Sequence, residues 1–464
     1  MKKTITTLLL VFSVLSTHAQ QRWQQLPFNI EVNSGEQDWM PFATYIEADS
    51  TMYISGNFTD VNNVPCNVIR VFDNGGYDFM PYNPYHSIRC MAWYHGKLYA
   101  GGNGLSYWDG STWNLIDSSF NTMVANLDSY DGKLLVTGVL DDLTGHNCWK
   151  VATWNDTIWE DVHEVNSLLS DCNYDAVNSV ALYKDQLYLG GRFYEFRPNG
   201  DTLMNMIRFD GTKWTDVGSM YVQYQSEVRC LQVWKDTLYV SGQFTEARGG
   251  PGNSIAAWDG NQWSRLGAGL YMEHGVVEDM QVFNDELYAC GIFKEVNGFM
   301  PPGQTPEDIL GYAKWNGQQW CTMGTMSDNI IFRMGSTKND LYVMGGFTHI
   351  NNSPMKNIAR WIGGNYTDTC SVAQEPTGIS TLHEDAYAPQ MYPNPSAGKF
   401  TLELASRPSS PLKFTMRSLT GSVVFETDIR QSTQIVDAGK QAGGLYFVTL
   451  SSADKRYTFK MVIR

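Results

Sequence analysis

One short unit recurs seven times along the chain and limits its possible folds more than any other feature. In its commonest form the unit reads Leu-Tyr-x-x-Gly-x-Phe, and successive copies start 36 to 54 residues apart. The copies are MYISGNF at 52, LYAGGNG at 98, LLVTGVL at 134, LYLGGRF at 187, LYVSGQF at 238, LYACGIF at 287 and LYVMGGF at 341. An apolar run and a tight turn precede most of them.

A second aromatic unit follows each copy after a longer loop. Its clear examples are YWDGSTW at 107, TWNDTIW at 153, RFDGTKW at 208, AWDGNQW at 257 and KWNGQQW at 314. Asp-Gly and Asn-Gly between apolar segments predict hairpins, because glycine accepts a positive φ without steric cost. Taken alone, Trp258 and Trp263 could form a sugar-binding surface. Their recurrence in nearly every repeat instead favours rings that are buried between repeats.

Each repeat therefore reads as four short strands, and seven such repeats predict an all-β, seven-bladed β-propeller over residues 20–370. The glycine at the fifth position of each unit is expected to permit close backbone packing or a bulge. These glycines are Gly56, Gly102, Gly138, Gly191, Gly242, Gly291 and Gly345. The stretch WQQL at 23 is an isolated strand that could complete the seventh blade, although YTDT at 366 is a competing candidate.

This repeat pattern resembles the kelch and galactose-oxidase-like propellers, and also bacterial repeats of the form LYVGGxF followed by IAxWDGxxWxxLG. The resemblance implies the propeller fold but no particular chemistry, because propellers host many functions. A copper site of the galactose-oxidase kind cannot be matched residue by residue, so that activity is not implied. We expect no cofactor and no metal.

The two ends of the chain differ from the repeats. Lys2 and Lys3, a short apolar run and the stretch STHAQ predict a secretory signal peptide over residues 1–19. No other apolar stretch approaches the roughly 18 residues of a membrane span. Residues 371–390 read as a linker, and alternating apolar residues after it predict a small Ig-like β-sandwich over 391–464.

The C-terminal segment resembles the type A sorting domain of the type IX secretion system. The residues that carry the resemblance are Tyr392, Pro393, Asn394, Pro395, Gly398, Gly421, Gly444, Tyr446, Lys460 and Val462. The resemblance implies passage through the periplasm by the Sec route, recognition by the type IX machinery, and delivery to the cell surface or the medium.

Composition excludes other classes of function. A formal net charge of −15 argues against nucleic acid as a partner, because binding phosphates needs clustered Lys and Arg. The eight cysteines show no C-x-x-C spacing, which argues against a zinc or redox site. In an exported chain they could form up to four disulfides or remain buried thiols, and the sequence does not choose between these.

Strand order locates the expected binding surface. If the apolar run is the innermost strand, the short turns of every blade lie on one face of the ring, here called the turn face. The long, varied loops lie on the opposite face, here called the loop face, and such loops on a rigid scaffold commonly carry function. We expect ligand contacts there from Tyr221, Tyr224, Tyr271, Glu273, His274 and Phe299.

The leading hypothesis is a secreted or cell-surface propeller that acts as a non-catalytic binding or adhesion module for an extracellular glycan or protein. One alternative is a glycan-active enzyme with its site at the mouth of the ring on the loop face. The other is a structural component of an extracellular matrix.

Overall fold

The computed structural model describes residues 22–28, 30–32, 41–46, 50–85, 87–116, 123–140, 149–169, 176–196, 202–217, 226–245, 250–273, 275–298, 311–323, 327–363, 390–392, 396, 398–404, 408, 411–418, 422–439, 441–451 and 456–463. The predicted signal peptide, 1–19, and linker residues 371–389 lie outside these ranges. The chain divides into two compact units, Met1–Gln374 and Glu375–Arg464.

The described residues of the first unit form seven four-stranded antiparallel sheets, which are the blades. The strands are called A to D from the inside outwards. The A strands of blades 1 to 7 are Phe42–Ile46, Ile88–Tyr94, Met123–Tyr130, Ala176–Tyr183, Glu227–Trp234, Val276–Phe283 and Ile331–Ser336. The B strands are Thr51–Ser55, Lys97–Gly102, Lys133–Leu140, Gln186–Phe196, Thr237–Gln243, Glu286–Ile292 and Leu341–Gly345.

The outer half of each blade follows in chain order. The C strands are Val68–Phe72, Gly104–Trp108, Trp149–Trp154, Thr202–Phe209, Ile255–Trp258, Tyr312–Trp315 and Ile358–Trp361. The D strands of blades 1 to 6 are Tyr77–Phe79, Trp113–Leu115, Trp159–Asp161, Trp214–Asp216, Trp263–Arg265 and Trp320–Thr322. A short 3-10 helix, Val165–Ser167, follows blade 3. This meander places the A–B and C–D turns of every blade at one end, as the sequence predicts.

The blades form a closed ring. Each A strand contacts the A strands of both neighbouring blades, including blade 7 with blade 1. Seven buried apolar clusters fill the spaces between the seven pairs of adjacent blades. At the closure, Tyr342 and Met344 of blade 7 pack with Met52 and Ile54 of blade 1. The hydrophobic core of the propeller is therefore divided into layers between blades.

The N-terminal strand completes the last blade. Trp23–Gln25 pairs antiparallel with Ile358–Trp361 and is the D strand of blade 7. Trp23 is 1% exposed, and its indole N–H donates to the Tyr312 hydroxyl at 2.8 Å. Of the two candidates that the sequence leaves open, the strand at 23 thus completes blade 7, while the stretch at 366 lies outside the described residues.

The repeated glycine is explained by a bulge in the A strand. In blade 6 the pairing register shifts between Val277 and Asp279, opposite Gly291. A Cβ atom on Gly291 would lie 2.1 Å from the Val276 carbonyl oxygen, which is impossible without moving backbone. The same approach occurs in blades 3, 4, 5 and 7, at Gly138, Gly191, Gly242 and Gly345. The predicted close packing and bulge are confirmed at these positions.

The aromatic unit is a C–D hairpin whose turn is held by its first acidic residue. One carboxylate oxygen of Asp259 accepts the backbone N–H groups of Asn261 and Gln262, both at 2.8 Å. The flanking rings of Trp258 and Trp263 are 5.0 Å apart, and Trp258 is 5% exposed. The Trp258 indole N–H donates to the Tyr188 hydroxyl in blade 4, and the Trp263 indole N–H donates to the Val217 carbonyl just after that blade. These tryptophans therefore belong to the packing between blades.

The second unit is a small β-sandwich. One sheet has the order Gln390–Tyr392, Lys399–Glu403, Thr433–Asp437, and the other has the order Val423–Ile429, Leu412–Arg417, Gly444–Ser451, Arg456–Ile463. Phe400 and Val436 of the first sheet pack with Phe414 and Val448 of the second in one buried cluster.

Candidate functional site

The loop face carries a second layer of short strands. In blade 1, Ile30–Val32 pairs with the B–C hairpin strand Phe58–Val61, which also pairs with Val64–Pro65. In blade 6, Leu270–Tyr271 pairs with Glu295–Val296. In blade 7 the B–C hairpin consists of His349–Ile350 and Ser353–Pro354, and Ser327 forms a bridge with Ile350. In each of these blades, the segment that leads into the A strand is thus hydrogen-bonded to the B–C loop of the same blade. This part of the loop face is therefore ordered by backbone pairing.

Two of the six predicted ligand residues can be located. Tyr271 is half-buried in the pairing with Glu295, and its carbonyl oxygen accepts the Lys294 backbone N–H at 3.0 Å. Glu273, two residues on in the same connection, is exposed. The structure therefore brings these two together on the loop face. Tyr221, Tyr224, His274 and Phe299 lie outside the described residues.

A more exposed pair of aromatic residues lies in the connection between blades 1 and 2. Tyr82 is 41% exposed and Tyr85 is 45% exposed, which is unusual for large rings in this ring-closed scaffold. We call them the tyrosine pair. Their backbone belongs to the segment Pro-Tyr-Asn-Pro-Tyr at 81–85, in which each proline fixes its own φ.

The residue between the two tyrosines anchors the segment. Asn83 is 0% exposed, and its amide donates to the Ser106 hydroxyl at 2.8 Å while its side-chain oxygen accepts the Tyr85 backbone N–H at 3.0 Å. Its backbone N–H and carbonyl exchange bonds with the Asn67 amide at 2.9 and 3.0 Å. Asn83 therefore ties the connection to the C strand of blade 2 and to the residue just before the C strand of blade 1.

A further bond fixes the start of this segment. The Trp113 indole N–H donates to the Pro81 carbonyl oxygen at 2.8 Å, so a tryptophan of the repeat supports the base of the tyrosine pair. Because the backbone that carries the two rings is already fixed, little conformational entropy is lost when a ligand stacks on them. Tyrosine also offers an apolar face and a hydroxyl that can donate and accept hydrogen bonds.

Charged side chains lie inside the ring near the loop-face ends of the A strands. Arg229 of blade 5 approaches Glu227 at 2.8 Å and Glu278 of blade 6 at 3.7 Å. Arg333 of blade 7 lies 3.9 Å from Glu278. Arg229 and Glu278 occupy equivalent bulge positions in neighbouring blades. We call these four residues the axial ion network.

Asp279 extends this network towards the interior. Its carboxylate accepts the Met334 backbone N–H of blade 7 at 2.9 Å, which joins two A strands. Burial raises the pKa of Asp279, although nearby Arg333 and two backbone N–H bonds oppose that shift. The Ser179 hydroxyl makes the corresponding bond to the Leu231 N–H at 3.0 Å. These bonds identify part of the axial network as a means of holding blades together.

The ion pairs of the axial ion network bear on whether its carboxylates could act in hydrolysis. Glycoside hydrolysis uses two carboxyl groups on opposite sides of a substrate-sized gap. Here a single arginine side chain contacts Glu227 and Glu278, so both carboxylates are engaged in ion pairs. Among the described residues, there is also no group of three His, Cys, Asp or Glu side chains placed to hold a metal ion.

The cysteines divide into two kinds. Cys66, Cys90, Cys230 and Cys290 are free thiols. Burial raises the pKa of Cys66 to about 11 and raises those of the other three as well, which makes these thiols poor nucleophiles. Cys321 is disulfide-bonded. Cys66, Cys90, Cys230 and Cys290 are therefore excluded from the disulfide pairings that the sequence leaves open.

Sequence reasoning missed both the tyrosine pair and the axial ion network. The sequence does contain an indication of the tyrosine pair, because Tyr82 and Tyr85 lie next to prolines in a connection without strand periodicity. The indication of the axial ion network is a charged residue within an otherwise apolar run, such as Arg229 in VRCLQVW. The repeated glycine predicts a bulge or close packing, but it does not indicate which A-strand residue the bulge turns towards the ring interior.

The sorting residues can be placed in the second unit. Tyr392 ends the strand Gln390–Tyr392, while Lys460 and Val462 lie on the last strand, Arg456–Ile463. Gly398 has φ 92, and a Cβ atom there would lie 2.2 Å from the Gly439 carbonyl oxygen. Gly444 pairs with Ile463, and the buried Tyr446 donates its hydroxyl proton to the Ala442 carbonyl at 2.6 Å. Pro393, Asn394, Pro395 and Gly421 lie outside the described residues.

The fold and these features define an exported β-propeller with a C-terminal sorting domain. Residues 390–464 match the family described as the secretion system C-terminal sorting domain. The second unit is therefore a type IX sorting domain, which implies interaction with the secretion machinery and delivery to the cell surface or extracellular space. Within the described ranges, no helix has the length and apolar character to cross a membrane.

Comparisons of the whole chain give only distant similarities. PorZ, an essential bacterial surface component of the type IX secretion system of Porphyromonas gingivalis, is 14% identical over 91% of this chain with a TM-score of 0.30, and the chain spans 65% of PorZ. BamB from Moraxella catarrhalis is 10% identical over 73% of this chain and 96% of its own, with a TM-score of 0.32. BBS1N, from its complex with ARL6DN, is 9% identical over 75% of this chain and 98% of its own, with a TM-score of 0.40. No curated protein gives a significant match.

Proposed function

We propose that the protein is a non-catalytic binding module, exported through its type A sorting domain, whose loop face binds a neutral extracellular glycan against Tyr82 and Tyr85. The observation that carries the proposal is the anchoring of this pair. A fully buried asparagine and a tryptophan N–H hold the backbone in place, while both rings remain exposed. Rigid, exposed aromatic rings are suited to stacking on the apolar faces of sugar rings.

The charge of the chain narrows the class of glycan. A formal net charge of −15 creates a negative potential that disfavours uronate-rich or sulfated polymers. A protein partner would need an interface of roughly 800 Å² on this side, with several anchors. Two tyrosines on one short connection match a few sugar rings better. Tyr271 and Glu273 lie on the same face and are proposed as further contacts for a longer glycan.

A non-catalytic role is supported by the axial ion network, because its carboxylates are paired with arginine. The proposal predicts that a bound glycan is recovered unchanged after long incubation. The appearance of shortened chains or free reducing ends would instead assign catalysis to this protein.

The test is a glycan array probed with the full chain and with Tyr82→Ala and Tyr85→Ala. We expect binding to neutral glycans, with each change weakening it by about tenfold, the size expected for an aromatic anchor. Tyr85→Phe serves as the matched control, because it keeps the ring and removes only the hydroxyl. Binding that survives both alanine changes would refute the site. A protein ligand that depends on the pair would refute the proposed ligand class.

A further inference from the structure

The sorting domain carries an exposed apolar row that its packing does not explain. In the three-stranded sheet, Thr401 pairs with Tyr392 on one side and with Ile435 on the other. These three side chains therefore form one row across the sheet. Ile435 is 64% exposed, the highest value among the described large hydrophobic residues, and Tyr392 is 46% exposed. We call this set the outer row.

The alternation along each strand shows that the outer row faces away from the core. Phe400 and Leu402, on either side of Thr401, are 2% and 0% exposed and lie in the buried cluster of the sandwich. Val436, next to Ile435, is 2% exposed in the same cluster. A sheet with one wet face ordinarily presents polar residues there. Ile435 breaks this pattern at the centre of its strand.

The surroundings of the outer row are polar. Lys399 and Asp437, one step along the sheet, form an exposed ion pair at 4.0 Å. On the other side Glu403 accepts a hydrogen bond from the Tyr392 hydroxyl at 2.9 Å, which fixes the direction of the tyrosine ring. The outer row thus has large hydrophobic side chains at both ends and polar residues around it, and protein interfaces likewise combine buried apolar residues with a polar rim.

We propose that the outer row of Tyr392, Thr401 and Ile435 is the docking surface by which the type IX secretion machinery binds this domain. The occupant is argued from the domain itself, because a sorting domain must be recognised by that machinery and Ile435 is the most exposed large apolar residue in the described part of the domain. The partner is a machinery component that presents an apolar patch to this sheet. This inference does not depend on any ligand of the propeller.

The experiment uses the full chain in a bacterium with a type IX secretion system and measures the fraction delivered to the surface or medium. Ile435→Lys is expected to lower that fraction by about tenfold, as for an interface anchor, with the protein retained in the periplasm. Ile435→Leu keeps an apolar side chain and should be exported normally. Val423→Lys changes a residue that is 45% exposed in the other sheet and should also be exported normally.

A photocrosslinking residue separates recognition from folding. Placed at position 435 of an export intermediate, it should form an adduct with an outer-membrane protein of the secretion system, whereas at position 423 it should not. Normal export of Ile435→Lys would overturn the proposal. Equal crosslinking from both positions, or none from 435, would also overturn it.

Discussion

The two faces of the propeller ring are built by opposite rules. On the turn face, the C–D turns of blades 2 to 6 repeat one solution, in which an Asp or Asn side chain accepts two backbone N–H groups. These residues are Asp109, Asn155, Asp210, Asp259 and Asn316. On the loop face, each connection is different. One of them, the segment at 81–85, places the buried Asn83 between two exposed tyrosines.

This difference separates scaffold from function. A residue that is required once per blade serves packing or turning, because every blade must solve the same problem. A residue that occurs once, is held rigidly and stays exposed has no such explanation. The repeated tryptophans support the unique tyrosines, as the bond from Trp113 to the Pro81 carbonyl shows.

The largest expected effect comes from a repeated position. Gly291→Ala should lower the free energy of unfolding by about 3 kcal/mol, because its Cβ would overlap the Val276 carbonyl. The measurement is denaturant unfolding followed by tryptophan fluorescence, which reports on the first unit because all 15 tryptophans precede residue 362. Gly96→Ala is the control, since nothing lies within 4 Å of its added Cβ and only its positive φ of 76 opposes alanine. We expect it to cost about 1 kcal/mol. Equal losses would refute the role of the bulge.

A smaller effect is expected at the unique anchor. Asn83→Ala removes the side-chain bonds to Ser106 and to the Tyr85 N–H, and should cost about 2 kcal/mol. Glycan affinity should fall as well, because Tyr85 loses the bond that holds its backbone. Asn261→Ala, at an exposed turn position, is the matched control and should change stability by less than about 0.5 kcal/mol. If Asn83→Ala bound the glycan as tightly as the unchanged protein, the tyrosine pair would not need its anchor.

The smallest effect is expected at a turn aspartate, and it depends on pH. Hydrogen bonds from Thr212 and Lys213 lower the pKa of Asp210 from 3.8 to about 2. A depressed folded-state pKa stabilises the fold above the unfolded value and loses that contribution as the pH falls from about 4 to about 2. At pH 7, Asp210→Asn should therefore have about the same free energy of unfolding as the unchanged protein. As the pH falls from about 4 to about 2, the variant should lose less of that free energy than the unchanged protein does. An undiminished loss would mean that other carboxylates account for it.

The sequence predicts the repeated parts of the molecule because a pattern that recurs in several copies identifies strands and turns that a single copy would leave uncertain. The repeated units predict the strand order, the glycine beside the bulge and the C–D hairpins. The sequence offers two candidates for the closing strand, and the pairing of Trp23–Gln25 with the C strand of blade 7 decides between them. The sorting domain is predicted for a different reason, since its residues match a known family over its whole length.

The candidate site could not be predicted in the same way. The tyrosine pair depends on a contact between Asn83 and Asn67 of the preceding blade, which no local pattern encodes. The outer row depends on the register that places Ile435 beside Thr401. All six predicted ligand residues stay predictions. Tyr271 and Glu273 lie on the expected face, and the other four lie outside the described residues.

The most direct test compares the two faces with one ligand. The neutral glycan that binds best on the array would be titrated calorimetrically into the full chain, the double variant Tyr82→Ala/Tyr85→Ala, and Trp93→Ala. Trp93 is 42% exposed beside the A–B turn of blade 2 and is the matched aromatic residue on the turn face. We predict a loss of about a hundredfold in affinity for the double variant and no change for Trp93→Ala. Unchanged affinity in the double variant, or a comparable loss at Trp93, would contradict the assignment of binding to the loop face.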